Sequence, residues 1–219
     1  MNHLTPPESR VLGVLVEKEL TTPDQYPLSL NALGSGCNQK SNRDPILTMS
    51  DDDVRDAVES LRAKGLAVRV DMAGSRVHRY KHTAVQALQA GPRELALIAE
   101  LLLRGPQTLG ELRGRAARMH AFDSLEVARA TLEGLQTRAE PLVRQIAPAA
   151  GSRAERFVQL ISPDAHPVSA NPGAAELTPS VQATADPSLA DRVAQLEQEV
   201  ATLRQRIARL AEALGEPTS

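Results

Sequence analysis

Residues 50–80 read SDDDVRDAVESLRAKGLAVRVDMAGSRVHRY. A serine followed by aspartates has the chemistry of a helix start, with Ser50 as N-cap and Asp53 at the third helical position. Val54, Ala57, Val58 and Leu61 then recur at helical spacing, and Lys64-Gly65 supplies a stop. Beyond it LAVRVD alternates apolar and polar residues, AGS turns, and RVHRYKH returns, which predicts a β-hairpin. A helix feeding directly into a hairpin limits the folds this chain can adopt.

Upstream, Thr5 caps a first helix with Pro6 at its first position and Glu8 at its third. Val11, Leu12, Leu15 and Val16 form its apolar face. After the breaker TTPDQYP, Ser29 caps a second helix bearing Leu30, Leu33 and Cys37 on one side, although Gly34 and Gly36 disfavour its C-terminal half. Downstream the same order recurs. Pro92 to Arg104 is a helix, and Thr108 with Glu111 makes a capping box before Leu112, Ala116 and Met119. Asp123 with Glu126 starts a helix whose inward face is Ala128, Thr131, Leu132 and Leu135. PLVRQI, PAAGS and RAERFVQLI then form a second hairpin. The hairpins share a pattern, GSRVHRY at 74–80 and GSRAERF at 151–157.

Three helices and a two-stranded wing, twice, predict a mainly α, α+β protein built of two tandem winged helix-turn-helix domains. The expected boundaries are 1–85, carrying an inserted loop at 38–49, and 86–162. The first copy has about ten extra residues between its second and third helices by matched apolar positions. Residues 163–188, rich in Pro, Ala, Ser and Thr, read as a flexible linker, and 189–214 as a coiled coil.

The composition is that of an ordinary globular chain of 219 residues, 42% hydrophobic and 24% charged. With two Tyr, two Phe and no Trp, the core must be aliphatic. Residues 1–90 hold 11 basic and 11 acidic side chains, 91–162 hold 10 and 8, and 163–219 hold 4 and 8. A net charge of −2 gives no global attraction to nucleic acid. One cysteine, Cys37, excludes an internal disulfide. MNHLTPPESR lacks the features of a secretion signal and no apolar run approaches membrane-spanning length, so a cytoplasmic protein without membrane contact is expected.

Several strings, among them LTPPESRVLGVLVEKELTTPDQYPLSLNAL, CNQKSNRDP, GSRVHRY and ELALIAELLLRGPQTLGELRGRA, resemble the YceH-like bacterial proteins over roughly residues 4–161. The resemblance implies a tandem winged-helix fold and adds little about biochemistry.

Candidate sites are few. The aspartates at 51–53 cap a helix and complement its dipole, and they disfavour its insertion, tip first, beside phosphates. In NQKSNRDP, Asn, Ser and Asp suit a self-satisfied ordered loop pinned by Ile46, Leu47 and Met49; the functional reading places Lys40 and Arg43 on a phosphate. The first hairpin clusters Arg76, His78, Arg79, Lys81 and His82, as a solvated edge or a nucleic-acid contact, and Arg153 and Arg156 are its weaker counterpart. Arg113, Arg115 and Arg118 suit a solvated helix face or a phosphate clamp. No histidine has metal-type partners, Cys37 falls on an apolar face, and no glycine-rich phosphate loop exists, so no catalytic residue, metal or cofactor is expected.

The tail carries heptads. Leu189, Leu196, Leu203 and Leu210 fill d, with Val193, Val200, Ile207 and Leu214 at a, a pattern favouring a parallel two-stranded coil and hence a homodimer. Arg192 with Glu197 and Glu199 with Arg204 attract across that register. Two readings of function follow: a non-enzymatic DNA-binding regulator contacting phosphate through wings and loop, or an adaptor docking other proteins on its winged helices.

Overall fold

The computed structural model describes residues 3–71, 77–149 and 151–168, all within one compact unit, Met1–Gly173. The expected coiled coil, most of the expected linker and Arg76 lie outside the described residues. Those described form a mixed α/β structure with seven α-helices and two small antiparallel sheets.

The order helix, strand, helix, helix, hairpin occurs twice. The first copy contains α1 (Pro6–Thr21), β1 (Leu28–Ser29), α2 (Leu30–Cys37), α3 (Asp51–Ala63), β2 (Ala67–Val70) and β3 (Arg79–His82). A short connecting helix, α4 (Ala84–Ala87), precedes the second: α5 (Pro92–Arg104), β4 (Gln107–Thr108), α6 (Leu109–Ala116), α7 (Leu125–Gln136), β5 (Val143–Ile146) and β6 (Arg156–Gln159). Each sheet has three strands, ordered β1-β3-β2 and β4-β6-β5. Leu28 pairs with Tyr80 and Gln107 with Phe157, equivalent positions in the two hairpins. The two-residue strands β1 and β4 add to the expected hairpins a third partner too short to show alternation in sequence.

The capping chemistry is largely as read. Thr5 and Glu8, Ser50 and Asp53, and Thr108 and Glu111 each form a reciprocal box that satisfies two helix-start amides. Gly65, at φ +73°, follows α3 in the left-handed region that glycine adopts without steric cost. One cap differs: Ser124, not Asp123, is the N-cap of α7, its side chain accepting from the Val127 amide.

In the first copy the expected second helix is present to its full length, and the expected insertion needs correction. Helix α2 runs to Cys37 through Gly34 and Gly36, because α1 passes so close that a Cβ on Gly36 would lie 2.6 Å from Val14 Cγ1. The glycine that weakens the helix locally is what lets the helices touch. The insertion is shorter than expected: thirteen residues, 38–50, separate α2 from α3, against eight, 117–124, between α6 and α7, a difference of five.

The core is aliphatic and continuous across both copies. Leu12, Leu15, Leu33 and Leu61 are fully buried in the first, and Leu101, Leu112 and Leu132 in the second. Helices α1 and α5 pack directly together, with Gly13 against Leu102 and Leu103; a Cβ there would come within 2.9 Å of Leu103. The end of the second copy returns to the start of the first. The Leu4 amide donates to the Ile161 carbonyl at 2.8 Å, and the Ser162 hydroxyl to the Leu4 carbonyl at 2.7 Å.

Candidate nucleic-acid interface

The inserted loop is ordered by its own polar side chains. Asn38 brackets Met49, its amide donating to the Met49 carbonyl and its oxygen accepting from the Met49 amide, both at 2.8 Å. Met49 is buried and Leu47 partly buried, whereas Ile46, expected to pin the loop, is 59% exposed.

Arg43 does not reach a surface phosphate, because its side chain is wholly buried. Its two terminal nitrogens donate to the Glu17 carboxylate at 2.6 and 3.2 Å. The remaining donors meet the Gly36 and Asn42 carbonyls and Gln39 Oε1. Glu17 also takes Arg118, which reaches Glu100 Oε2 at 2.9 Å, and Glu100 pairs with Arg104 at 3.1 Å. Burial would raise the Glu17 carboxyl, but the Arg43 and Arg118 guanidiniums outweigh it and hold it below the ordinary value.

This network crosses from one copy to the other. The Asp44 amide donates to the Leu103 carbonyl at 2.9 Å, Arg104 donates to Asn42, and His166 Nε2 lies 2.6 Å from the Asp44 carbonyl. Arg10 donates to the Cys37 and Pro45 carbonyls. The string CNQKSNRDP therefore joins the two copies, and only Lys40 among its cations is exposed. Burial pushes the Cys37 thiol up to about 12.

The cations of the first hairpin are mostly engaged. His78 Nδ1 lies 2.7 Å from Asp71 Oδ1, and Arg69 lies 3.4 Å from the other oxygen. The His78 hydrogen bond, offset in part by a small desolvation, lowers the Asp71 carboxyl below its ordinary value. Arg79 donates to the Pro27 carbonyl at 2.8 Å, His82 is buried, and Lys81 is exposed. Helix α3 beside this hairpin is acidic. Asp51, Asp52, Asp53, Asp56 and Glu59 are all exposed, while Arg55 pairs with Asp52 and Arg62 with Glu59.

The second copy differs. A groove of about 640 Å³ opens between the start of α6, helix α7 and the second hairpin, lined among others by Thr108, Gly110, Arg129, Arg153, Glu155 and Phe157. Arg129 and Arg153 are exposed; Glu126, three residues before Arg129, has its carboxyl lowered by its hydrogen bond with Ser124 and in smaller part by Arg129. Arg156 lies half-buried, its Nε 3.5 Å from the Ala147 carbonyl. Arg113 and Arg115 are held by the Phe122 carbonyl and by Gln107 with Glu111.

Arg129 escaped the sequence reading, yet a signal existed. It is the fifth residue of α7, as Arg55 is of α3, and Arg153 and Arg156 occupy the places of Arg76 and Arg79 in the shared hairpin pattern. The buried acids had a signal too, since Glu17 and Glu100 interrupt the apolar runs VLGVLVEK and ELALIAELLL. Among the described residues there is no cluster suited to a metal ion and no helix long and apolar enough to cross a membrane.

Comparison with known proteins agrees with the early resemblance. A family model described as "Protein of unknown function, DUF480" matches residues 4–152. A UPF0502 protein of Geotalea uraniireducens is 48% identical over 201 residues, covering 91% of this chain and 89% of the relative. Its counterpart in Pelobacter propionicus is 46% identical over 203 residues, covering 93% and 91%. One from Shewanella piezotolerans is 45% identical over 205 residues, covering 92% and 94%. With a family match over most of the chain and relatives aligned nearly end to end, this chain belongs to the DUF480 family of bacterial UPF0502 proteins.

Proposed function

We propose that this protein is a non-enzymatic, dimeric nucleic-acid-binding protein of tandem winged-helix design, which grips the backbone of duplex DNA in the manner of a regulator or chromosome-associated protein. The observation that carries the reading is the recurrence of arginine at equivalent places in the two copies: Arg55 and Arg129 on the third helices, and, in the sequence pattern shared by 74–80 and 151–157, Arg76 with Arg153 and Arg79 with Arg156. Core leucines recur because both copies need a core. Cations on the third helix and the hairpin have no such requirement, and these are the elements that approach DNA in winged helices. The heptad pattern of the sequence at 189–214 is that of a parallel two-stranded coil, which would bring two such units together.

Contact is with phosphate more than with base edges, because the start of α3 carries Asp51, Asp52 and Asp53, which repel the backbone on either side of a groove. Lys40 and Lys81 add exposed charge; Arg43 has no part in it. The test is retention of labelled duplex fragments by the full-length protein over a salt series. Binding that weakens linearly in log–log form with salt supports the reading, and no retention at 50 mM salt removes it. A second reading, an adaptor for proteins, draws on the five exposed carboxylates of α3, a face that suits a basic partner better than DNA.

A further inference from the structure

Resting on that reading, we infer that the two copies are unequal and that the second provides the principal hold on the nucleic-acid backbone, in the groove between α6, α7 and the second hairpin, with Arg129 and Arg153 on a phosphodiester. The groove has two walls. Arg129 stands on a helix and Arg153 on the hairpin facing it, so two cations from separate elements converge on one space. Its volume of about 640 Å³ is in the range of small-ligand sites, roughly 300–1,000 Å³, and has room for a phosphodiester with its sugars.

Both guanidiniums are exposed; Arg129 acts on Glu126, whose carboxyl is lowered by its hydrogen bond with Ser124 and in smaller part by Arg129, and an exposed fork can exchange such a surface partner for phosphate. Glu155 is the acid lining this groove, while Glu126 and Glu133 are the acids of α7. In the first copy the equivalent helix arginine, Arg55, is already closed on Asp52, and α3 sets five carboxylates against two arginines. A phosphate approaching that face meets net negative charge. The arginine positions thus recur in both copies, while the acids beside them are concentrated in the first.

The test uses the full-length chain and a fluorescein-labelled duplex of mixed sequence, with affinity measured by anisotropy from 50 to 300 mM salt. Arg129→Ala with Arg153→Ala should weaken binding about tenfold or more and reduce the salt slope by roughly 1.8, the value for two lost phosphate contacts. Both side chains are exposed, so folding should be unaffected. Gly110→Glu is an independent probe. An added Cβ at Gly110 meets nothing within 4 Å, so the variant places a carboxylate beside the groove without steric cost, and it should weaken binding similarly. Arg55→Ala with Arg76→Ala should weaken binding by less than about twofold and shift the slope by clearly less than the second-copy pair does. Wild-type affinity in both second-copy variants, or a loss confined to the first-copy pair, overturns the inference while leaving DNA binding in place. Absence of salt-dependent binding by the unaltered protein overturns both.

Discussion

Arg43→Ala separates a structural cation from a ligand-binding one. Its guanidinium is buried with Glu17 and gives every donor to the protein interior. Removing one partner of a buried ion pair costs about 3–5 kcal/mol, because the other charge remains desolvated. Glu17 retains Arg118, so the lower end applies, about 3 kcal/mol. For a unit of this size 1 kcal/mol moves Tm by roughly 2–4 °C, so thermal unfolding should fall by about 6–12 °C. The DNA salt slope of the folded variant should not change. Arg43→Met combined with Glu17→Gln should cost less than the sum of the two single changes, since the pair is then removed whole. The pH dependence has a definite sign. The Glu17 carboxyl lies below its ordinary value in the folded protein, so its contribution is present above the ordinary carboxylate range and lost as pH falls through the lowered value. Glu17→Gln should flatten that acid limb. A variant Arg43→Ala with wild-type Tm and a shallower salt slope would refute the assignment and return Arg43 to the surface.

Gly36→Ala should destabilise by about 1–3 kcal/mol in urea unfolding, since its Cβ would collide with Val14, and Val14→Ala should restore part of the loss. Truncation after Ser188 removes the heptads and should halve the mass measured by sedimentation; an unchanged mass refutes the coil as the dimerising element.

Local chemistry was legible in the sequence and distant chemistry was not. The Thr5–Glu8, Ser50–Asp53 and Thr108–Glu111 boxes each involve residues three apart, so the pattern contains the whole interaction. Ser124 took the cap from its neighbour Asp123, a one-residue ambiguity among residues of nearly equal capping strength. Gly36 looked like a helix breaker because its reason for being there, Val14, lies on another helix. Arg43 looked like a phosphate ligand because Glu17 is 26 residues away. Arg129 went unnoticed because only the fold sets it across a groove from Arg153.

The backbone closure between Leu4 and Ile161 has a consequence for biogenesis. Leu4 must wait for the end of the unit, because it is completed by Ile161 and Ser162, and Glu17 must wait for Arg118. At bacterial elongation rates of roughly 5–20 residues per second, the interval is about ten to thirty seconds. In its earlier part, until α5 and Arg118 are made, the apolar face of α1 that later meets α5 has no partner, and Glu17 has only part of its counter-charge. Stop codons placed before residue 162 should therefore yield chains that are degraded instead of half-sized working proteins.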